Sequence, residues 1–216
     1  YLSRAPRVRV EAETIRDIVL ASSGLLNKEI GGPSVKPYQP KGIWEAATSG
    51  RGVLATYKQD HGKSLYRRGL YTFIKLTVPP PSLIMFDASN RDQCQVERLK
   101  TNTPLQALVM MNDPIVLEAA RVLAEKLLQQ NGDPAQNIQK AFRMVLCRKP
   151  TEKETQILNS YYQEQWQLFK AGQLSSDTTL NQGEYQQIAV TDKEKAATLM
   201  KTIDAMYNLE ETITKS

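Results

Sequence analysis

The chain has 216 residues, 41% hydrophobic and 24% charged, the balance of a globular protein with enough apolar material for a sizeable core. Lysine and arginine outnumber aspartate and glutamate by 28 to 23, and a net charge of +5 favours anionic partners while falling short of a dedicated nucleic-acid binder. No apolar run approaches the roughly 20 residues that cross a bilayer.

The two cysteines, Cys94 and Cys147, form neither a CxxC nor a CxxCH, so no zinc ribbon and no attached haem c can be built from this chain. They read as separate buried thiols or, in an oxidising compartment, as one disulfide. The sequence opens on Tyr1 with no initiator methionine and no export signal, as an excised piece or a processed product would.

The first predicted helix carries Ala12, Ile15, Ile18, Val19 and Ser22 on one face, with Glu11, Glu13, Arg16 and Asp17 on the others. Residues 31–64 hold three prolines and five glycines beyond Gly31, with no lasting period, and read as a long irregular arm. Residues 65–77 mix β-formers with a weak helical spacing, and we read them as helix rather than strand. Pro79, Pro80 and Pro81 then force an extended path.

The C-terminal half is punctuated by helix caps. Thr103-Pro104 with Gln106 is a capping box with proline at the first helical position, and Asp113-Pro114 opens a second helix directly behind the first. Val116, Ala119, Ala120, Leu123, Leu127 and Leu128 form its apolar stripe, and Asn131-Gly132 stops it. Asp133-Pro134 starts another helix, Thr151 with Glu154 a further one that Gly172 ends, and Thr191 with Glu194 a last one bearing Met200, Ile203 and Tyr207. The stretch 173–190 has no apolar face and is expected to be an exposed polar loop. The fold class is therefore mainly α, one multi-helix domain with a proline- and glycine-rich arm and at most minor β structure.

The segments GLLNKEIGGPSVKPYQPKGIWE, YKQDHGKSLYRRGLYTFIKLTVPPPSLIMFDASNRDQCQVERLKTNTPLQALVMMNDP and AFRMVLCRKPTEKE resemble the planctomycete-type domain of unknown function found at the C-terminus of large exported bacterial proteins. The resemblance implies a periplasmic or cell-surface setting, a preceding domain of the same polypeptide as partner, and a c-type cytochrome module further upstream. It implies no established reaction. The family commonly has glycine where Cys147 stands, which weakens a disulfide.

Chemistry, if present, would draw on residues 57–113. His61, the single histidine, could form a Ser-His-acid arrangement with Ser34, Ser64 or Ser82, but no GxSxG elbow accompanies it. A metal held by His61 with Asp60, Asp87 and Asp92 matches no known ligand spacing. Asp87 and Asp113 could serve as paired carboxylates, although a turn and a helix cap explain them equally. Arg67, Arg68, Lys75, Arg91, Arg98 and Lys100 could grip an anionic polysaccharide or form salt bridges to Asp87, Asp92 and Glu97.

Two functions follow. As a structural and interaction module docking on its preceding domain, the chain should expose an apolar patch. As part of an extracellular polysaccharide-processing or haem-linked redox enzyme, it should gather His61, Arg67, Arg68, Asp87, Arg91 and Asn102 into a polar half-site, any haem coming from another domain. Nothing recommends nucleic acid as a partner.

Overall fold

The computed structural model describes residues 7–48, 56–89, 91, 93–130 and 132–215. Asp92 and Asn131, invoked above as a ligand or ion-pair partner and as a helix stop, lie outside them. Ten α-helices account for most of the described chain, with one two-stranded sheet, so the protein is mainly α. Among the described residues no helix is long and apolar enough to cross a membrane.

The sheet joins the two ends of the described chain: β1 (Val8–Arg9) runs antiparallel to β2 (Thr214–Lys215). Helix α1 (Ala12–Ser23) follows, buries Ile15, Val19 and Leu20, and stops on Gly24 in the left-handed region at φ 71°. In the arm lies α2 (Ile43–Thr48), which the search for long periods missed because it makes fewer than two turns.

Residues 62–71 are neither strand nor α-helix. They form two 3-10 turns, Gly62–Tyr66 and Gly69–Tyr71, because tertiary contacts override the local spacing. The N–H of Gly69 donates to Asp17 Oδ1 at 2.7 Å, and a Cβ there would fall 2.7 Å from the Glu13 carbonyl oxygen. The proline run is extended only through Pro80, since Pro81 is the first residue of α3 (Pro81–Ile84).

The capped helices begin where the cap chemistry puts them: α4 (Pro104–Asn112), α5 (Pro114–Gln130), α6 (Pro134–Leu146) and α7 (Glu152–Lys170). Asp113 serves both neighbours, donating its N–H to the Val109 carbonyl at 2.8 Å while its carboxylate accepts the Ile115 N–H at 2.8 Å. Glu154 accepts the Thr151 N–H at 2.8 Å. Within the expected loop lies α8 (Ser176–Leu180). Helix α9 (Lys193–Tyr207) is capped by Asp192, whose carboxylate accepts the Lys195 N–H at 3.0 Å, so the Thr191–Glu194 reading was displaced by one residue. A short α10 (Glu210–Ile213) leads into β2.

Gln106 is the hub of the α4 terminus. Its amide nitrogen donates to the Met85 carbonyl at 2.8 Å and to Thr101 Oγ1 at 3.1 Å, and its oxygen accepts from Arg9 at 2.5 Å and from the Thr103 N–H at 3.3 Å. One side chain thus ties the N-terminal strand, α3 and the α4 cap together, well beyond a local box.

The core lies where α5 and α9 pack together, with α1, α6 and α7 around them. Cys94 and Cys147 are both free and both exposed, which removes the disulfide and corrects the expectation of buried thiols. Deep in this packing sits Asp204 of α9, 7% exposed, with Oδ1 unpartnered. Burial pushes its carboxyl up to about 6, against the opposing pull of Lys201. Because its folded-state value exceeds the unfolded one, stability is complete below about pH 4 and declines as pH rises towards 6. Denaturant titrations of Asp204→Asn should therefore show stabilisation of about 2 to 3 kcal/mol at pH 8, vanishing near pH 4.

Candidate functional site

The run from Ile115 to Ala124 is too apolar for a one-sided helix, and α5 is buried on nearly every side. Three charged residues are carried inside with it: Glu118 is 0% exposed, Arg121 1% and Glu125 2%. Buried charges persist only when paired and hydrogen-bonded. Arg121 Nη1 meets both Glu125 oxygens, at 3.0 and 2.9 Å, and further partners come from the Tyr66 hydroxyl and the backbone of residues 182–189.

That segment lies as a strap along α5. Arg121 donates to the Gln182 carbonyl at 3.0 Å and the Tyr185 carbonyl at 2.7 Å. Glu118 Oε1 accepts the Tyr185 N–H at 2.7 Å, Glu125 the Ile188 N–H at 3.1 Å, and Gln129 donates to the Ala189 carbonyl at 3.2 Å. Gly183 permits the approach, since a Cβ there would overlap the Glu118 carboxylate at 2.1 Å. The loop keeps most of its side chains exposed while its backbone is anchored by side chains more than fifty residues away.

Where the strap passes the arm, Glu184 meets His61. The carboxylate lies 2.6 Å from His61 Nδ1 and accepts the Gly62 N–H at 2.5 Å, while the Glu184 N–H donates to the Tyr38 hydroxyl at 2.7 Å. Burial raises the Glu184 carboxyl, but the hydrogen bonds from His61 and Gly62 outweigh it and hold the group below its ordinary value. Tyr66 donates to Glu118 at 3.0 Å, and both Tyr38 and Tyr66 are pushed well above the usual phenol range by burial and then by the Glu118 charge. Glu184 also lines a depression of about 490 Å³ with Leu25, Asn27, Lys63, Tyr66 and Tyr185. A histidine oriented by a carboxylate at such a rim can accept or hold a proton.

Of the six residues expected to form a half-site, the five besides His61 are distributed elsewhere. Arg67 is 4% exposed, donates to the Pro33 carbonyl at 2.8 Å and to the Gly31 carbonyl, and stacks on Tyr71 at 3.9 Å. It is a clamp for the arm rather than an anion grip. Arg68 opens the second 3-10 turn. Asp87, at φ 61°, accepts the Thr101 N–H at 2.8 Å and the Thr101 hydroxyl. Arg91 is exposed and donates its backbone N–H to Ser89 Oγ at 3.1 Å, and Asn102 lines a separate hollow of about 120 Å³ beside α4. None of the depressions described for this protein holds two of the six.

The alternative ion pairs are corrected too: Arg98 pairs with Glu13 at 2.7 Å and Glu11 at 2.8 Å, while Asp87 is taken by Thr101. Asp60 accepts the Lys36 N–H at 2.7 Å, and the described hydrogen bonds of His61 include no serine. Among the described residues, no group of three or more His, Cys, Asp or Glu is placed to hold a metal. Glu118, Arg121, Glu125 and Glu184 escaped the sequence reading. The available signal was charge embedded in a run too apolar to face water.

The fold and site define a helical domain whose central helix carries an internal charged stripe answered by its own chain. The sequence matches the family described as PSD1, a protein of unknown function (DUF1553), over residues 1–162, and the chain belongs to that family. No curated protein and no solved structure matches it.

Replacing Arg121 by alanine strands Glu118 and Glu125 beside unpaired strap carbonyls. Arg121→Ala should cost about 3 to 5 kcal/mol in denaturant unfolding. It should also release the strap, read as faster amide exchange at Tyr185 and Ile188 than at the Val122 amide of α5.

Proposed function

We propose that the chain is a structural and interaction module of a larger exported protein, docking on the part of the polypeptide that precedes it. One observation carries this reading: the polar residues of 57–113 are mostly engaged internally, while apolar side chains stand exposed around the start of α1. Gly69 abuts Glu13 and Arg98 pairs with Glu11 and Glu13. The neighbouring Leu70, Val96 and Leu99 are exposed at 66%, 107% and 74%. Apolar exposure of this kind marks interaction surfaces. The exported setting rests on the resemblance of the sequence segments.

Hydrogen exchange on the chain, alone and extended at its N-terminus by the rest of its polypeptide, tests the docking. Residues 69–71 and 95–100 should gain protection in the longer form, and Leu99→Asp should reverse it. Equal exchange in the two forms counts against the module.

A second reading is favoured by the His61–Glu184 pair, that of a polar half-site completed by another domain of a polysaccharide-processing or haem-linked redox enzyme. Lys63 and the tyrosines of the 490 Å³ depression suit an anionic glycan. Saturable quenching of intrinsic fluorescence by sulfated polysaccharide, lost in His61→Ala at unchanged Tm, is the expected result. Binding that His61→Ala leaves intact sinks this assignment.

A further inference from the structure

One arginine of α1 is left without an answering charge. Arg16 donates through Nη2 to the Leu65 carbonyl at 2.7 Å, whereas its Nε–H is shut off from solvent and has no partner. None of the ion pairs among the described residues includes it. Burial pulls its pKa down, and the strongest opposing charge is that of Asp113, whose carboxylate already accepts the Ile115 N–H at 2.8 Å. A buried donor without an acceptor is destabilising, and more so when it belongs to a charged group.

Arg16 and Asp113 both line a hollow of about 40 Å³ whose other walls are chiefly apolar, Ile15, Val19, Leu83 and Met110 among them. Such a space admits about two or three water-sized groups, enough for a small polar head. Ser82, Val109 and Asp113 also line the adjoining groove of about 320 Å³, so the two spaces share a wall. The groove adds Tyr38, Met85 and Gln39, and Gln39 Nε2 is a second buried donor without a partner. Of the residues lining the two spaces, only Arg16 and Asp113 carry charge, and their charges cancel. Apolar walls with a few convergent polar groups are the usual form of a small-ligand site.

We infer that the joined spaces bind an uncharged amide with an apolar body. The unmet groups select this chemistry. Arg16 and Gln39 offer N–H groups that call for carbonyl oxygens, and a carboxylate such as that of Asp113 keeps lone pairs for an amide N–H beyond the one it already accepts. An anionic ligand meets Asp113 and a cationic one meets Arg16, each against like-charge repulsion that a poorly hydrated space strengthens. The apolar body lies in the larger groove. This site shares no residue with the Leu70–Leu99 face or with the 490 Å³ depression, so it stands or falls apart from both readings of function.

The test is an NMR titration of the intact chain at about pH 6 with N-acetyl-leucinamide, N-acetyl-leucine and leucinamide, probes of similar shape that are neutral, anionic and cationic there. N-acetyl-leucinamide should move the Arg16 Nε–H and Gln39 side-chain signals saturably. The two charged probes should bind at least about tenfold more weakly. Asp113→Asn keeps the helix cap, because asparagine caps as well as aspartate, and removes the negative charge. In that variant N-acetyl-leucine should become the preferred probe. Ser82→Leu fills the shared wall and should abolish every response, with unchanged amide signals in α9 showing an intact fold. No saturable shift at Arg16, equal binding of the three probes, an unchanged order of preference in Asp113→Asn, or binding that survives Ser82→Leu overturns the assignment.

Discussion

The buried stripe of Glu118, Arg121 and Glu125 constrains the rest of the structure most severely. Three charged groups inside a helix core cost far more in desolvation than one ion pair returns, and the hydrogen bonds from Tyr66 and the strap offset part of that cost, with Glu118 Oε2 left unpartnered. Helix α5 cannot rotate these residues to water, because Ile115, Val116, Ala119, Leu123 and Leu127 occupy its other faces and are buried as well. The strap therefore has to lie where it does, with N–H groups presented to the two glutamates and carbonyls to the arginine. Its course is dictated by backbone polarity, which explains why a segment with few apolar side chains is nevertheless docked.

The arm is held by the same kind of logic with the roles reversed. Its prolines and glycines offer carbonyls without competing secondary structure, and Arg67 collects those of Gly31 and Pro33 in one planar fork while its face rests on Tyr71. Asp17 and Glu13 of α1 then receive the chain at Gly69. A basic residue that looks like a ligand grip in sequence is, in three dimensions, the tie that closes an irregular loop.

Those two cases mark what could be read from the sequence. The starts of α4, α5, α6 and α7 were legible because a capping side chain and its target N–H lie within three residues, often with proline fixing the first turn. The 3-10 turns at 62–71 were not, since their geometry is set by α1 from about fifty positions away. The anchoring of the strap was not legible because its anchors belong to α5, and the periodicity that identifies α5 as a helix treats its charged positions as solvent-facing by default. Of the candidate site, His61 stands out in the sequence as the single histidine, but its partner Glu184 is 123 residues distant and no spacing rule connects them. Tyr38 and Tyr66 pack in or against the core and turn their hydroxyls to the strap or to Glu118.

The family match ends at residue 162, whereas the backbone groups that hydrogen-bond the α5 stripe begin at residue 182. Physically the two parts are coupled: α5 lies wholly within the matched region, and its buried charges are met by Tyr66, by the Arg121–Glu125 pair and by the chain that follows. The same later segment supplies Glu184, which orients the single histidine, and α9, which completes the core. The strap meets the stripe through its peptide groups, with Gly183 leaving room for the Glu118 carboxylate, and it meets the arm through the Glu184 side chain, so one short segment ties the buried charges of α5 to the histidine at the rim of the depression.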